Sequence, residues 1–145
     1  MSREISDLDP SVIRPAQQAL DDLTNRDVPH AVTSTRRTAD EQIALYAQGR
    51  AVLEIVNLLR KHAGMGMIAP GENTYQVTNC DGVNTYSNHQ KGLALDVVPM
   101  NVSGRPEWPP ATDSRWEQIA VSFEPLGFKW GGRWVSPDRP HYEFV

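Results

Sequence analysis

The sequence predicts an α+β domain, and three observations carry that prediction. Amphipathic helical spacing comes mainly before and between short β-rich runs. One of those runs, Leu93 to Pro99, is almost wholly apolar yet holds Asp96. The chain closes on a Trp/Gly-rich hairpin and a last strand from His141 to Val145.

Each element has its own signal. Ser11 to Arg26 places Val12, Ala16, Ala19, Leu20 and Leu23 at helical spacing, and Pro15 is tolerable only near a first turn. His30 to Thr35 alternates and is β-rich, so it is read as a short strand. Thr38-Ala-Asp-Glu41 has the capping-box form; Ile43, Ala44, Leu45 and Ala47 follow as a helix face, and Gly49 is its stop. Ala51 to His62 carries Val52, Ile55, Val56, Leu58 and Leu59, a second helix ending near Gly64. Met65 to Asn73 is a Gly/Pro-rich loop, Tyr75 to Thr78 is read as a strand, and Asn79 to His89 as a polar loop. Asn101 to Ala111 is a loop rich in turn-formers. Asp113 can cap a helix through Leu126, with Trp116, Ile119, Ala120 and Phe123 on one face and Gly127 as the stop.

Composition narrows the function classes. The chain has 145 residues, 39% hydrophobic and 22% charged, which fits one domain with a real core. A net charge of -4 argues against nucleic acid as a partner, because such binders need a basic footprint. The single cysteine, Cys80, allows no intrachain disulfide and is read as inert. MSREISDLDP lacks the basic-then-apolar pattern of a signal peptide, and no apolar run is long enough to span a bilayer. The expectation is synthesis in the cytoplasm without membrane insertion.

Four histidines are candidates for chemistry. His30 opens a strand and His62 sits at a helix end, where it suits the C-terminal dipole; both are read as structural. His89 precedes Asp96 by seven residues, with Gly92 between them to bend the backbone. His141 follows Asp138 by three residues and precedes Glu143 by two; on a strand, residues two apart face the same way. Two imidazoles and one carboxylate make a reasonable zinc set that keeps a fourth position for water, as catalytic sites do. Asp138 and Glu143 then compete to be the general base. The alternative is a buried His89–Asp96 ion pair and a cross-strand His141–Glu143 hydrogen bond. The setting of Asp96 favours the metal, since a buried carboxylate is costly unless paired or coordinated.

Four blocks carry a family resemblance. Ser87-Asn-His89-Gln-Lys-Gly92-Leu-Ala94-Leu-Asp96 resembles the S-x-H-x-x-G-x-A-x-D signature of the zinc peptidases that cut peptidoglycan stem peptides. That family includes D-alanyl-D-alanine carboxypeptidases and dipeptidases and phage L-alanyl-D-glutamate endopeptidases. Asp138-Arg-Pro-His141-Tyr-Glu143 resembles its closing motif, and Gly127-Phe-Lys-Trp130-Gly131-Gly132-Arg-Trp134 the aromatic-glycine hairpin before it. Val32-Thr-Ser34-Thr-Arg-Arg37-Thr, with Glu41-Gln42 and Leu45-Tyr46-Ala-Gln-Gly49-Arg50, resembles the upstream arginine motif.

The resemblance implies a Hedgehog- and DD-peptidase-like fold, a small antiparallel sheet flanked by helices. It implies one zinc ion per chain on His89, Asp96 and His141, and Asp138 rather than Glu143 as general base. Arg37 matches the arginine that steadies the substrate carbonyl and oxyanion, although Thr35-Arg36 stands where Gly-Tyr is frequent and makes Arg36 a rival. Ser87 and Gln42 match positions beside the site, and Glu143 is expected to orient His141. Trp130, Trp134 and Phe128 are read first as core, with Trp130 also a candidate to line the substrate groove. An aspartate base leans toward the L-alanyl-D-glutamate endopeptidases. The implied protein is a monomeric phage endolysin, one catalytic domain over residues 1–145 without a separate cell-wall-binding domain. It would act on peptidoglycan in the periplasm after release from the host cytoplasm. The alternatives are a D-Ala-D-Ala carboxypeptidase or dipeptidase, or a non-catalytic zinc-containing cell-wall-binding module.

Overall fold

The computed structural model describes residues 1–145. Contacts divide the chain into two compact units, one of Met1 with Arg37–Lys91 and one of Ser2–Arg36 with Gly92–Val145.

The second unit holds the sheet. Strands β1 (His30–Ser34), β2 (Ala94–Pro99), β3 (Lys129–Trp130) and β4 (His141–Glu143) form an antiparallel sheet in the order β1-β2-β4-β3. Helix α1 (Pro10–Asn25) packs on α4 (Arg115–Phe123), and α4 packs on β2. The face read from sequence is the buried face of α1: Val12, Ala16, Ala19 and Leu23 are fully inaccessible and Leu20 nearly so. The helix begins at Pro10, with Asp9 accepting from the Ser11 amide at 3.0 Å. Pro15 therefore lies in the second turn, beyond the first turn expected of it, and the helix runs on through it. Leu95, Val97 and Val98 of β2 join this core with Trp116, Ile119, Phe123 and Tyr142. Phe123 and Tyr142 stack with centroids 4.3 Å apart.

The first unit contains α2 (Ala39–Ala47) packed on α3 (Leu53–His62). The capping box on α2 is formed: the Thr38 hydroxyl accepts from the Glu41 amide and Glu41 Oε1 accepts from the Thr38 amide, both at 3.2 Å. Helix α3 ends in a Schellman motif around Gly64, whose amide donates to Lys61 while the Met65 amide donates to Arg60.

Several expected boundaries need correction. Tyr75 to Thr78 is not a strand; it forms no ladder, and Tyr75 and Val77 are exposed. Alternation there has no buried face to pay for pairing. The helix expected to run to Leu126 stops at Phe123 and continues as a 3-10 turn, Glu124–Leu126, because Pro125 has no amide hydrogen to give. Gly127 ends that turn with φ 97°. The last strand is three residues long rather than five.

Candidate functional site

Sheet register builds half of the site. Asp96 lies directly opposite His141 in the β2–β4 ladder, and Ala94 opposite Glu143. Paired and alternate residues share a face, so Asp96, His141 and Glu143 point the same way while Leu95 and Tyr142 point into the core. His141 Nδ1 stands 3.5 Å from Asp96 Oδ1, and His141 Nε2 2.9 Å from Glu143 Oε2. The imidazole is only 8% exposed. Burial pulls its pKa down, but the hydrogen bond and charge of Asp96, the hydrogen bond of Glu143 and the charge of Asp138 outweigh that and hold it above the ordinary value.

The aromatic-glycine segment shapes the turn that delivers Asp138 and His141. Trp130 Nε1 donates to the Arg139 carbonyl at 2.6 Å, and the Gly131 carbonyl accepts from the Asp138 amide at 2.9 Å. A Cβ on Gly131 would run into the Asp138 carbonyl and crowd His141 Cβ at 3.2 Å. Only glycine lets the two segments approach this closely. Asp138 itself is exposed. Trp130 is buried at 4% exposure and belongs to the core, so its expected place along a substrate groove is corrected; it supports the turn from beneath. Trp134 is the exposed aromatic, at 40%, with its ring 5.2 Å from the His141 ring.

The other residues lie around Gln42, which is fully buried on α2. Its Oε1 accepts from Arg37 Nη1 at 3.3 Å and from the Ser87 hydroxyl at 3.0 Å. Its Nε2 donates to Thr78 Oγ1 at 3.0 Å and to the Cys80 carbonyl at 2.9 Å. One amide thus fixes Arg37, Ser87 and the loop before Ser87. The two arginines part here: Arg36 is exposed, whereas Arg37 is half-buried and held by Gln42. The Arg37 amide donates to the His89 carbonyl at 3.1 Å. Gln90, absent from the sequence reading, ties the Ser87 turn together by accepting from the Ser87 amide and donating to the Gly82 carbonyl. No short-range pattern marks it, since its partners are backbone groups.

Gly92 makes the bend expected of it. Its φ is +74°, and a Cβ would sit 2.8 Å from the Asp9 amide nitrogen, which donates to the Gly92 carbonyl. His30 Nδ1 donates to the Val28 carbonyl at 2.8 Å and His62 lies 3.6 Å from Asp40, so both have structural partners. Cys80 is a free, half-buried thiol.

Asp96 and His141 of the second unit each offer a donor atom to a metal ion, and His89 of the first unit offers a third. His89 and His141 are buried and Asp96 is half-buried. Ligands of a tetrahedral zinc, bonded at ~2.0–2.2 Å, stand roughly 3.4 Å apart. The 3.5 Å separation of His141 Nδ1 and Asp96 Oδ1 already meets that spacing. Two imidazoles and a carboxylate are zinc donors, so the residues fit such an ion.

Residues 81–144 match the family model for D-alanyl-D-alanine carboxypeptidase. The match takes in His89, Asp96, Asp138 and His141 and leaves Arg37 outside. The chain is 28% identical over 147 residues to the peptidoglycan L-alanyl-D-glutamate endopeptidase CwlK of Bacillus subtilis (strain 168), covering 97% of this chain and 75% of that protein. Two crystal structures share its fold. The L-Ala D-Glu endopeptidase ChiX of Serratia marcescens superposes with a TM-score of 0.56 at 23% identity, over 97% of this chain and 83% of that one. The vancomycin-resistance D,D-pentapeptidase VanY, crystallised with Zn(II), gives 0.57 at 18% identity, over 95% and 72%. No helix here is long and apolar enough to cross a membrane.

Proposed function

We propose that this chain is a zinc-dependent hydrolase of peptidoglycan stem peptides, a reading supported by the family-model match over residues 81–144 and by the similarity to CwlK. The bond it cuts is between L-alanine and D-glutamate. The observation that carries the reading is the opposition of Asp96 and His141 across β2 and β4, with Oδ1 and Nδ1 3.5 Å apart.

Zinc held by these three residues would supply a Lewis acid for the scissile carbonyl and lower the pKa of a water molecule. The rest of the chemistry falls to side chains. Asp138 takes the proton from the attacking water and returns it to the leaving amine. The exposure of Asp138 at the turn before His141 supports that role. Arg37 donates to the carbonyl oxygen as it gains negative charge, a fixed donor aimed at developing charge. Gln42 supports this by holding the Arg37 guanidinium, which Arg36 lacks. Glu143 fixes the His141 ring through Nε2 and leaves Nδ1 toward Asp96. Ser87 and the exposed Trp134 are assigned to substrate contact. In the cell we assign the chain to phage-driven host lysis, as a monomer acting on peptidoglycan after release from the cytoplasm.

The experiment is digestion of purified peptidoglycan with mass spectrometry of the new ends. The proposal expects new D-glutamate amino termini, lost on chelation and restored by zinc. Released D-alanine or D-Ala-D-Ala instead would assign the carboxypeptidase or dipeptidase reaction. No cleavage by the zinc-loaded chain would leave a cell-wall-binding module.

A further inference from the structure

Strand β1 does not pair with β2 in simple register. Val32 lies opposite Val97, but the next pair is Ser34 with Asp96, so two steps along β1 match one along β2. The extra residue, Thr33, makes a β-bulge. Bulges re-aim side chains and gather beside active sites. Without this one, Thr33 would stand opposite Asp96 and Ser34 would turn to the other face. With it, Ser34, Asp96 and His141 form one row across β1, β2 and β4.

Ser34 is 3% exposed, and its hydroxyl has no hydrogen-bond partner. A buried hydroxyl with nothing to bond is a cost that alanine would remove. Cross-strand neighbours on one face stand with Cβ atoms ~4.5–5.5 Å apart, so rotation about the Ser34 Cα–Cβ bond can carry the hydroxyl to the Asp96 carboxylate.

We propose that Ser34 is a positioning residue: its hydroxyl donates to one Asp96 oxygen and leaves the other directed at the metal. The inference rests on reading Asp96 as a metal ligand. Carboxylate ligands are themselves held by hydrogen bonds, and losing such a partner typically weakens metal affinity by ~10–100-fold.

The test compares wild type, Ser34→Ala and Ser34→Thr by zinc affinity, in competition with a chromophoric chelator, and by thermal midpoint of the metal-free protein. Ser34→Ala is expected to weaken zinc binding by roughly 10–100-fold. Its metal-free midpoint is expected to stay unchanged or rise, because the orphaned hydroxyl is gone. Ser34→Thr, which keeps the hydroxyl on a β-branched residue, is expected to bind zinc as wild type does. Unchanged zinc affinity in Ser34→Ala, with or without a lower metal-free midpoint, would overturn the role while leaving the ligand set intact. A wild-type chain that binds no zinc would overturn the ligand set and the role of Ser34 with it.

Discussion

Asp96 and His141 face each other across β2 and β4, with Oδ1 and Nδ1 3.5 Å apart. Adjacent strands thus set two donor atoms at a fixed spacing through backbone pairing alone. The side chains need not find each other, because the ladder has already done so.

Glu143 is the residue that turns the His141 ring. Replacing it with alanine frees Nε2 from its 2.9 Å bond. A ~10–100-fold loss of zinc affinity is expected, with the ligands themselves untouched. Chelator competition measures it, and Glu143→Gln should recover part of the loss.

Asp138 should separate binding from chemistry. Asp138→Ala is expected to keep its zinc and lose ~10²–10⁴-fold in kcat, the usual reach of a general base. Zinc content and kcat, measured on the same preparation, check both halves.

Gln42 and Arg37 should differ in what they cost. Gln42→Ala strands groups on four partners, each worth about 1–3 kcal/mol if left buried and unsatisfied, so both the thermal midpoint and kcat should fall. Arg37→Ala should lower kcat with a far smaller effect on the midpoint. Denaturation curves beside steady-state rates distinguish the two.

Acid should release one loop. Asp81 accepts from the amides of Val83, Asn84 and Thr85. The Thr85 and Val83 bonds, the two largest causes, bring its pKa down from 3.8 to about 2. A depressed folded pKa means the contribution is complete above 3.8 and fades as pH falls through about 2. The Thr85 amide resonance, followed by NMR between pH 5 and pH 1, should titrate near that lower value. A midpoint at the ordinary carboxylate value would contradict the bonding.

The sequence made much of this legible, and for identifiable reasons. Buried periodicity exposed α1 and β2, because a helix or strand with one dry face must repeat its apolar residues at 3.6 or 2. The ligand candidates His89, Asp96 and His141 were legible because ionisable groups in apolar or two-apart settings need partners. Tyr75 to Thr78 misled because alternation also occurs in exposed loops. Trp130 and Trp134 look alike in sequence; only the fold buries one and exposes the other. Ser34 was hidden by the bulge, since no local pattern announces that β1 slips by one residue against β2.

That His89, Asp96 and His141 together hold one zinc ion is the proposal on which the other roles depend. Its most direct test is zinc bound per chain, measured by mass spectrometry of the native protein, for wild type and for His89→Ala, Asp96→Ala and His141→Ala. Wild type is expected to hold one zinc and each folded variant none. Wild type without zinc, or a variant that keeps it, would overturn the ligand set.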